Sequence, residues 1–201
     1  MVTLIGKLIQ KLKYLRIMKK ITILFTVFMV TISLANAQKY MTKGGTIKFS
    51  SDTPMEKIDA VNRQVNSALD FSTGNFVFKV LIRGFEFPKA LMQEHFNENY
   101  MESDKYPNST FNGKITNIKD VNLAKDGVYK VEAGGDLTMH GVTNKVKING
   151  TLEVKAGKVL GMATFNMAPK DYNITIPKAV IKNISEAIKV DVTISMDKLS
   201  N

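Results

Sequence analysis

From Gly74 onward the chain alternates apolar and polar residues with a period of two. In the first run Phe76, Phe78, Val80 and Ile82 fall on one face. Phe111, Gly113 and Ile115 share a face in the next, opposite Thr110, Asn112, Lys114 and Thr116. Tyr129 and Val131 oppose Lys130 and Glu132. Val146, Ile148, Gly150, Leu152 and Val154 alternate with Lys145, Lys147, Asn149, Thr151 and Glu153. The last run sets Ile188, Val190, Val192, Ile194 and Met196 against Lys189, Asp191, Thr193, Ser195 and Asp197. Successive side chains of a strand point to opposite faces, so each run predicts a strand with one buried and one wet face. Strands of a parallel sheet are apolar on both faces, so this pattern is antiparallel.

Turn-forming residues separate the runs at Ser72-Thr73-Gly74-Asn75, Lys125-Asp126-Gly127, Gly141 to Asn144 and Ala156-Gly157-Lys158. Short Gly-containing links of this kind suit hairpins. Nearer the start, Thr46 to Ser50 predicts a strand. Glu56 to Phe71 predicts two strands with an irregular join, with a short helix as the alternative. Pro88 to Tyr100 holds helix formers behind a proline suited to a first turn, and predicts one short helix. Pro169 to Glu186 predicts a long loop with a helical turn before the last strand. About eight strands with short links can pair in sequence, and a sheet of that size hides its edges by closing. The predicted class is all-β: a single antiparallel barrel of about eight strands with one short helix. An eight-stranded barrel has room for a packed core or for one small ligand, and periodicity alone admits both.

The first 37 residues read differently. They hold Lys7, Lys11, Lys13, Arg16, Lys19 and Lys20 without a single acid. An uncharged stretch from Ile21 to Leu34 follows and runs into Ala35-Asn36-Ala37. A positive flank, a short apolar stretch and a small-x-small end predict a secretory signal peptide, residues 1–37 with 18–37 as its core, cleaved after Ala37. The apolar stretch is shorter than the roughly 20 residues a membrane span needs. The expected mature domain is 38–201, soluble and periplasmic or secreted, with no stable span after cleavage.

Charge changes meaning once this segment is set apart. The whole chain has 28 Lys+Arg, 18 Asp+Glu and a net charge of +10. Residues 38–201 keep 22 basic residues against 18 acidic, a net of +4. Those lysines are interleaved with acids and apolar residues, which argues for a solvated surface and against a nucleic-acid partner.

The chain has no cysteine, so disulfides, thiolate metal sites and Cys nucleophiles are absent. Its two histidines, His95 and His140, match no zinc spacing, and no Gly-x-Ser-x-Gly elbow accompanies them. No metal site and no catalytic residue is assigned. His95 is expected to tie the helix to the barrel, and His140 to hydrogen-bond backbone at a turn. Glu94, Glu98, Glu102 and Asp104 read as a solvated face around the helix. Met139, Met162, Met167 and Met196 are flexible side chains that suit either gap-filling or contact with an irregular apolar guest.

Two blocks carry a resemblance. Glu94-His95-Phe96-Asn97-Glu98-Asn99-Tyr100-Met101-Glu102-Ser103-Asp104-Lys105-Tyr106-Pro107, followed by Ser109-Thr110-Phe111, is similar to the YceI family. So is Gly135-Asp136-Leu137-Thr138-Met139-His140-Gly141-Val142-Thr143, at the expected spacing. The resemblance extends from about Gly44 to Leu199. It implies a lipocalin-like, extended barrel with a lengthwise apolar tunnel that holds a polyisoprenoid or similar long-chain lipid, without other cofactor. The inward residues then expected to bind the chain are Phe76, Phe78 and Val80; Phe111, Gly113 and Ile115; Leu137 and Met139; Ile148; Met162 and Phe165; and Val192 and Ile194. Asp104, Lys105 or Lys170 are expected at polar tunnel ends, where a head group is selected. Tyr40 to Ser51 lacks the Trp and His that many relatives carry there, which points to a different ligand. The function so implied is an exported, non-catalytic binding protein. A structural or stress-related barrel with a filled core and a protein partner is the alternative, and a His/carboxylate hydrolase the third reading.

Overall fold

The computed structural model describes residues 38–199, together with Tyr14, Arg16, Met18 and Lys19. Those four are helical and exposed; the expected signal peptide otherwise lies outside the described residues. Among the described residues no helix is long and apolar enough to cross a membrane.

Eight strands follow one another around a closed antiparallel barrel, each paired with its neighbours in sequence. They are β1 (Lys39–Asp52), β2 (Lys57–Asp70), β3 (Asn75–Leu81), β4 (Asn108–Ile115), β5 (Gly127–Met139), β6 (Val142–Lys155), β7 (Lys158–Met167) and β8 (Ile188–Lys198). The eighth pairs back onto the first from Ser50↔Lys189 to Tyr40↔Lys198. Period-two alternation forces this outcome: with one apolar face per strand, closure buries all eight faces together and leaves no edge.

Two N-terminal expectations are corrected. β1 is far longer than Thr46–Ser50. Glu56 to Phe71 is neither a helix nor two strands but the single strand β2, with register shifts around Gly45 that displace its partners between Val65 and Asn62. The β5–β6 link is also tighter than expected. His140 and Gly141 both have positive φ, +50° and +75°, the two-residue turn whose twist matches its flanking strands. β6 therefore already starts at Val142. Ala156-Gly157 repeats the device between β6 and β7, with φ of +49° and +78°.

The helix is α1 (Ala90–His95), which loosens into a wider turn over Phe96–Tyr100. It lies in the long β3–β4 connection. The β7–β8 connection carries two tight helical turns, Pro169–Tyr172 and Lys178–Asn183. Both connections leave the same end of the barrel as the β1–β2 turn and the His140-Gly141 turn.

The two ends are built differently. At the far end Tyr40, Leu69, Phe71, Ile118, Val154, Val159 and Met196 are all buried and form one packed cluster. Tyr40 meets Phe71 edge to face at 5.1 Å between ring centres. Each such side chain gives about 1.5–3 kcal/mol on leaving water.

The ladders are not uniform along the axis. β6 and β7 pair only from Lys155↔Lys158 to Gly150↔Ala163. Beyond that point Val142–Asn149 and Thr164–Met167 carry no pairing with each other. The gap is spanned at the rim, where Asn144 Nδ2 donates to the Asp171 carbonyl at 2.7 Å. A second short ladder, between β2 and β3, is continued by a two-way backbone bridge between Val61 and Glu86. There the buried Asn62 amide also donates to the Leu81 carbonyl at 2.7 Å.

Candidate functional site

Above the plug the barrel is hollow. The cavity measures about 560 Å³, and its walls are almost wholly apolar side chains from all eight strands. Leu69, Ile115, Val131, Leu152 and Ile194 line its bottom and belong to the packed cluster below, so the cavity is blind. This corrects the expectation of a lengthwise tunnel: Phe71 and Met196, among others, fill the space where a second opening would lie. Wall residues on β5 run from Val131 to Met139. Eight steps of about 3.4 Å each, on strands tilted by about 35–45°, give a depth of about 20 Å.

Twelve of the thirteen residues assigned to a ligand from sequence line this cavity. Phe76, Phe78 and Val80 project from β3, Phe111 and Ile115 from β4, and Leu137 and Met139 from β5. Ile148 comes from β6, Phe165 from β7, and Val192 and Ile194 from β8. Phe76 and Phe111 stand 5.9 Å apart between ring centres, Phe76 and Phe78 6.3 Å. Met162 lies along the wall, but strand parity places its side chain outside, opposite Gly161 and Ala163, and it is 39% exposed. Met196 belongs to the plug and touches no cavity.

Gly113 is the thirteenth, and it does not reach the cavity. It pairs with Gly135 across the β4–β5 ladder. A Cβ at Gly113 would stand 2.4 Å from the Gly134 carbonyl oxygen, 2.8 Å from Gly135 Cα and 2.7 Å from Phe111 Cζ. The glycines let two backbones and a ring approach closely, instead of leaving room for a guest.

The mouth is made by parts without periodicity. Phe96, from the turn after α1, lies among Phe49, Phe85 and Phe87, with ring centres 5.0–5.5 Å away. This aromatic cluster anchors α1 to β1 beside the opening, and all four rings line the cavity. Val180, Asn183 and Ile184 of the β7–β8 connection also line the cavity and complete the rim. That connection is fastened to the β1–β2 hairpin. Asn183 Nδ2 donates to Glu56 Oε2 at 3.1 Å, and the Ser185 amide donates to Ser51 Oγ at 2.8 Å. Tyr100 also lines the cavity, and burial pushes its phenol above the ordinary range.

Charged and imidazole side chains reach the cavity in one place only. Glu56, Lys89 and His95 line it, all three at the mouth. His95 is exposed there and makes no hydrogen bond to the barrel, contrary to the tie expected of it. The residues expected to select a head group lie elsewhere: Asp104 pairs with Arg83, Lys105 covers the Tyr106 ring, and Lys170 is exposed on the turn after β7. His140 is held as a strut. Its Nδ1 faces the Tyr172 carbonyl at 3.1 Å and its Nε2 faces Glu102 Oε2 at 2.9 Å. Tyr106 packs on its ring at 4.7 Å. His140 thereby joins three connections and stays out of the cavity. Among the described residues no cluster of His, Asp and Glu could hold a metal ion.

A closed antiparallel barrel of eight strands with a packed base and an apolar interior belongs to the lipocalin-like class of barrels. Within that class the chain belongs to the YceI-like domain family, whose sequence profile matches residues 12–196. Among solved structures it is similar to a polyisoprenoid-binding domain from Saccharophagus degradans implicated in plant cell wall breakdown. That match has a TM-score of 0.71 at 11% identity, over 82% of this chain and 100% of the other. Burkholderia cenocepacia BcnA matches with a TM-score of 0.63 at 10% identity, over 77% and 96%. A Campylobacter jejuni YCEI protein matches at 0.50 and 14% identity, over 83% and 88%. No curated protein sequence matches this chain.

Proposed function

We propose that this protein is an exported, periplasmic binding protein that holds a polyisoprenoid or similar long-chain lipid in its barrel and catalyses nothing. The observation that carries the reading is the 560 Å³, mainly apolar cavity with its carboxylate, ammonium and imidazole groups confined to the mouth. Such a space is unfavourable to fill with water, because its walls offer few hydrogen-bond partners. A hydrocarbon chain suits it, since each CH₂ removed from water contributes about 0.8 kcal/mol. Membership of the YceI-like family and the likeness to a polyisoprenoid-binding domain support the same ligand class. The positive, acid-free leader and its small-x-small end support export.

The filled-core alternative has the plug in its favour but not the cavity above it. The hydrolase reading needs a nucleophile beside a histidine. His140 is enclosed by Glu102, Tyr106 and Tyr172, and His95 faces the open mouth.

The test is mass spectrometry of organic extracts from protein purified natively from its own cells. A stoichiometric long-chain lipid is the expected result. Protein that is folded, lipid-free, and unable to take up any long-chain amphiphile in vitro would overturn the proposal.

A further inference from the structure

We infer that the cavity selects amphiphiles with an acidic head group, a carboxylate or a phosphate, which enter tail first and leave that group beside Lys89 at the mouth. This rests on the lipid-binding reading above and narrows it to a ligand class.

Orientation comes first. The base is packed and apolar, so a charged group placed there would lose its water with nothing to replace it. Every carboxylate, ammonium and imidazole side chain that lines the cavity, from Glu56, Lys89 and His95, is at the opposite end. An amphiphile therefore has one favourable direction.

The sign of the head group follows from which of the three is free. Glu56 is half-buried and its carboxylate is occupied by the Asn183 amide, a contact that fastens the β7–β8 connection. Lys89 precedes α1, is exposed, lines the cavity and forms no ion pair among the described residues. His95 ends the same short helix and places a further ring nitrogen on the rim. Six residues of helix at about 1.5 Å each set it roughly 9 Å from Lys89. Glu94 beside it is exposed and does not line the cavity. The mouth thus offers one carboxylate already hydrogen-bonded to the Asn183 amide, one lysine without an ion pair among the described residues, and one neighbouring imidazole.

Chain length follows from the 20 Å depth. An extended chain of three backbone bonds spans about 3.3–3.6 Å, so the straight reach is about 17 bonds. A sixteen-carbon tail is accordingly the right probe, and longer chains must fold back or protrude.

The experiment measures displacement of a polarity-sensitive fluorescent fatty-acid probe from the delipidated protein by four sixteen-carbon amphiphiles: the alcohol, the carboxylate, the phosphate and the amine. Below their micelle-forming concentrations and at low salt, both acids should bind about two- to fivefold tighter than the alcohol, the range of one exposed ion pair. The amine should bind no tighter than the alcohol. High salt should erase the preference. Lys89→Gln should remove most of it, and Lys89→Glu should reverse it in favour of the amine. His95→Gln, a milder second variant, should reduce the acid-over-alcohol preference by a smaller factor than Lys89→Gln does. Equal binding of acid and alcohol, tighter binding of the amine by the unmodified protein, or an acid preference that survives in Lys89→Glu would overturn the inference. A folded protein that binds none of the four would instead overturn the lipid-binding reading beneath it.

Discussion

Replacing Gly113 with Ala is the sharpest test of how the barrel wall is built. The added methyl has nowhere to go: two of its three nearest neighbours are backbone atoms of β5, at 2.4 and 2.8 Å, and the third is the Phe111 ring at 2.7 Å. A ring can turn, but a paired strand can yield only by shifting its ladder. Forcing one extra carbon into a packed site typically costs about 1–3 kcal/mol. Against this, Ala restricts the unfolded chain more than Gly does, which returns about 0.4–1 kcal/mol where the backbone suits it. The net loss is therefore about 1–2 kcal/mol. For a domain of this size, at about 2–4 °C per kcal/mol, the melting temperature should fall by about 2–8 °C. Because Gly113 does not line the cavity, affinity for a sixteen-carbon fatty acid should stay within twofold. Differential scanning fluorimetry and probe displacement on one sample give both values. A variant that melts like the parent but loses the ligand would return Gly113 to the cavity and refute the close-approach argument.

Ala163→Leu should do the reverse, since Ala163 faces the cavity: displacing two methylenes of a bound chain at about 0.8 kcal/mol each weakens binding more than tenfold, with little change in melting. His140→Asn keeps a residue that tolerates positive φ but is too short to reach Glu102, so it isolates the strut; a loss of about 1–3 kcal/mol in urea unfolding with unchanged lipid binding is expected. Acid should destabilise the fold through Asp59 and Asp191, held below the ordinary carboxylate range first by hydrogen bonds from Ser50 and Thr164 and then by nearby lysines. A depressed folded-state value means the contribution is full above about pH 4, the unfolded value, and is lost as pH falls through the folded one. Melting curves from pH 7 to pH 3 should show that decline, and Thr164→Val, which removes the 2.6 Å donor, should make it shallower.

The strands were legible because period two is written into the side chains themselves, and β3, β6 and β8 needed nothing more. Parity assigns a face, however, and not what that face meets. Phe111 and Gly113 share a face, yet one lines the cavity and the other abuts Gly135; only the register of β4 on β5 separates them. Met196 continues the inward row of Val192 and Ile194, but lies deeper, where the barrel is filled. Met162 lies along the cavity wall, but it alternates with Gly161 and Ala163 and is 39% exposed, so parity and lining differ there. The mouth escaped for another reason. Phe85 and Phe87 sit on irregular backbone and Phe96 on a widened helical turn, where neither period reveals orientation, and three phenylalanines between positions 85 and 96 were the available signal. The Lys89 site depends on which end of the barrel is plugged, a property of closure that no single segment carries.

The incomplete β6–β7 ladder gives the molecule two mechanical regimes. Around the base every strand is bonded to the next, and the cylinder is a hoop: widening it must break backbone hydrogen bonds. Near the mouth the same cylinder is a split ring, clipped across its slit by Asn144 and Asp171. A split ring changes girth by bending, which costs none of its ladder bonds. The part of the wall that no ladder bond between β6 and β7 holds is therefore the arc beside Ile148 and Phe165, while the hoop below keeps the shape of the fold.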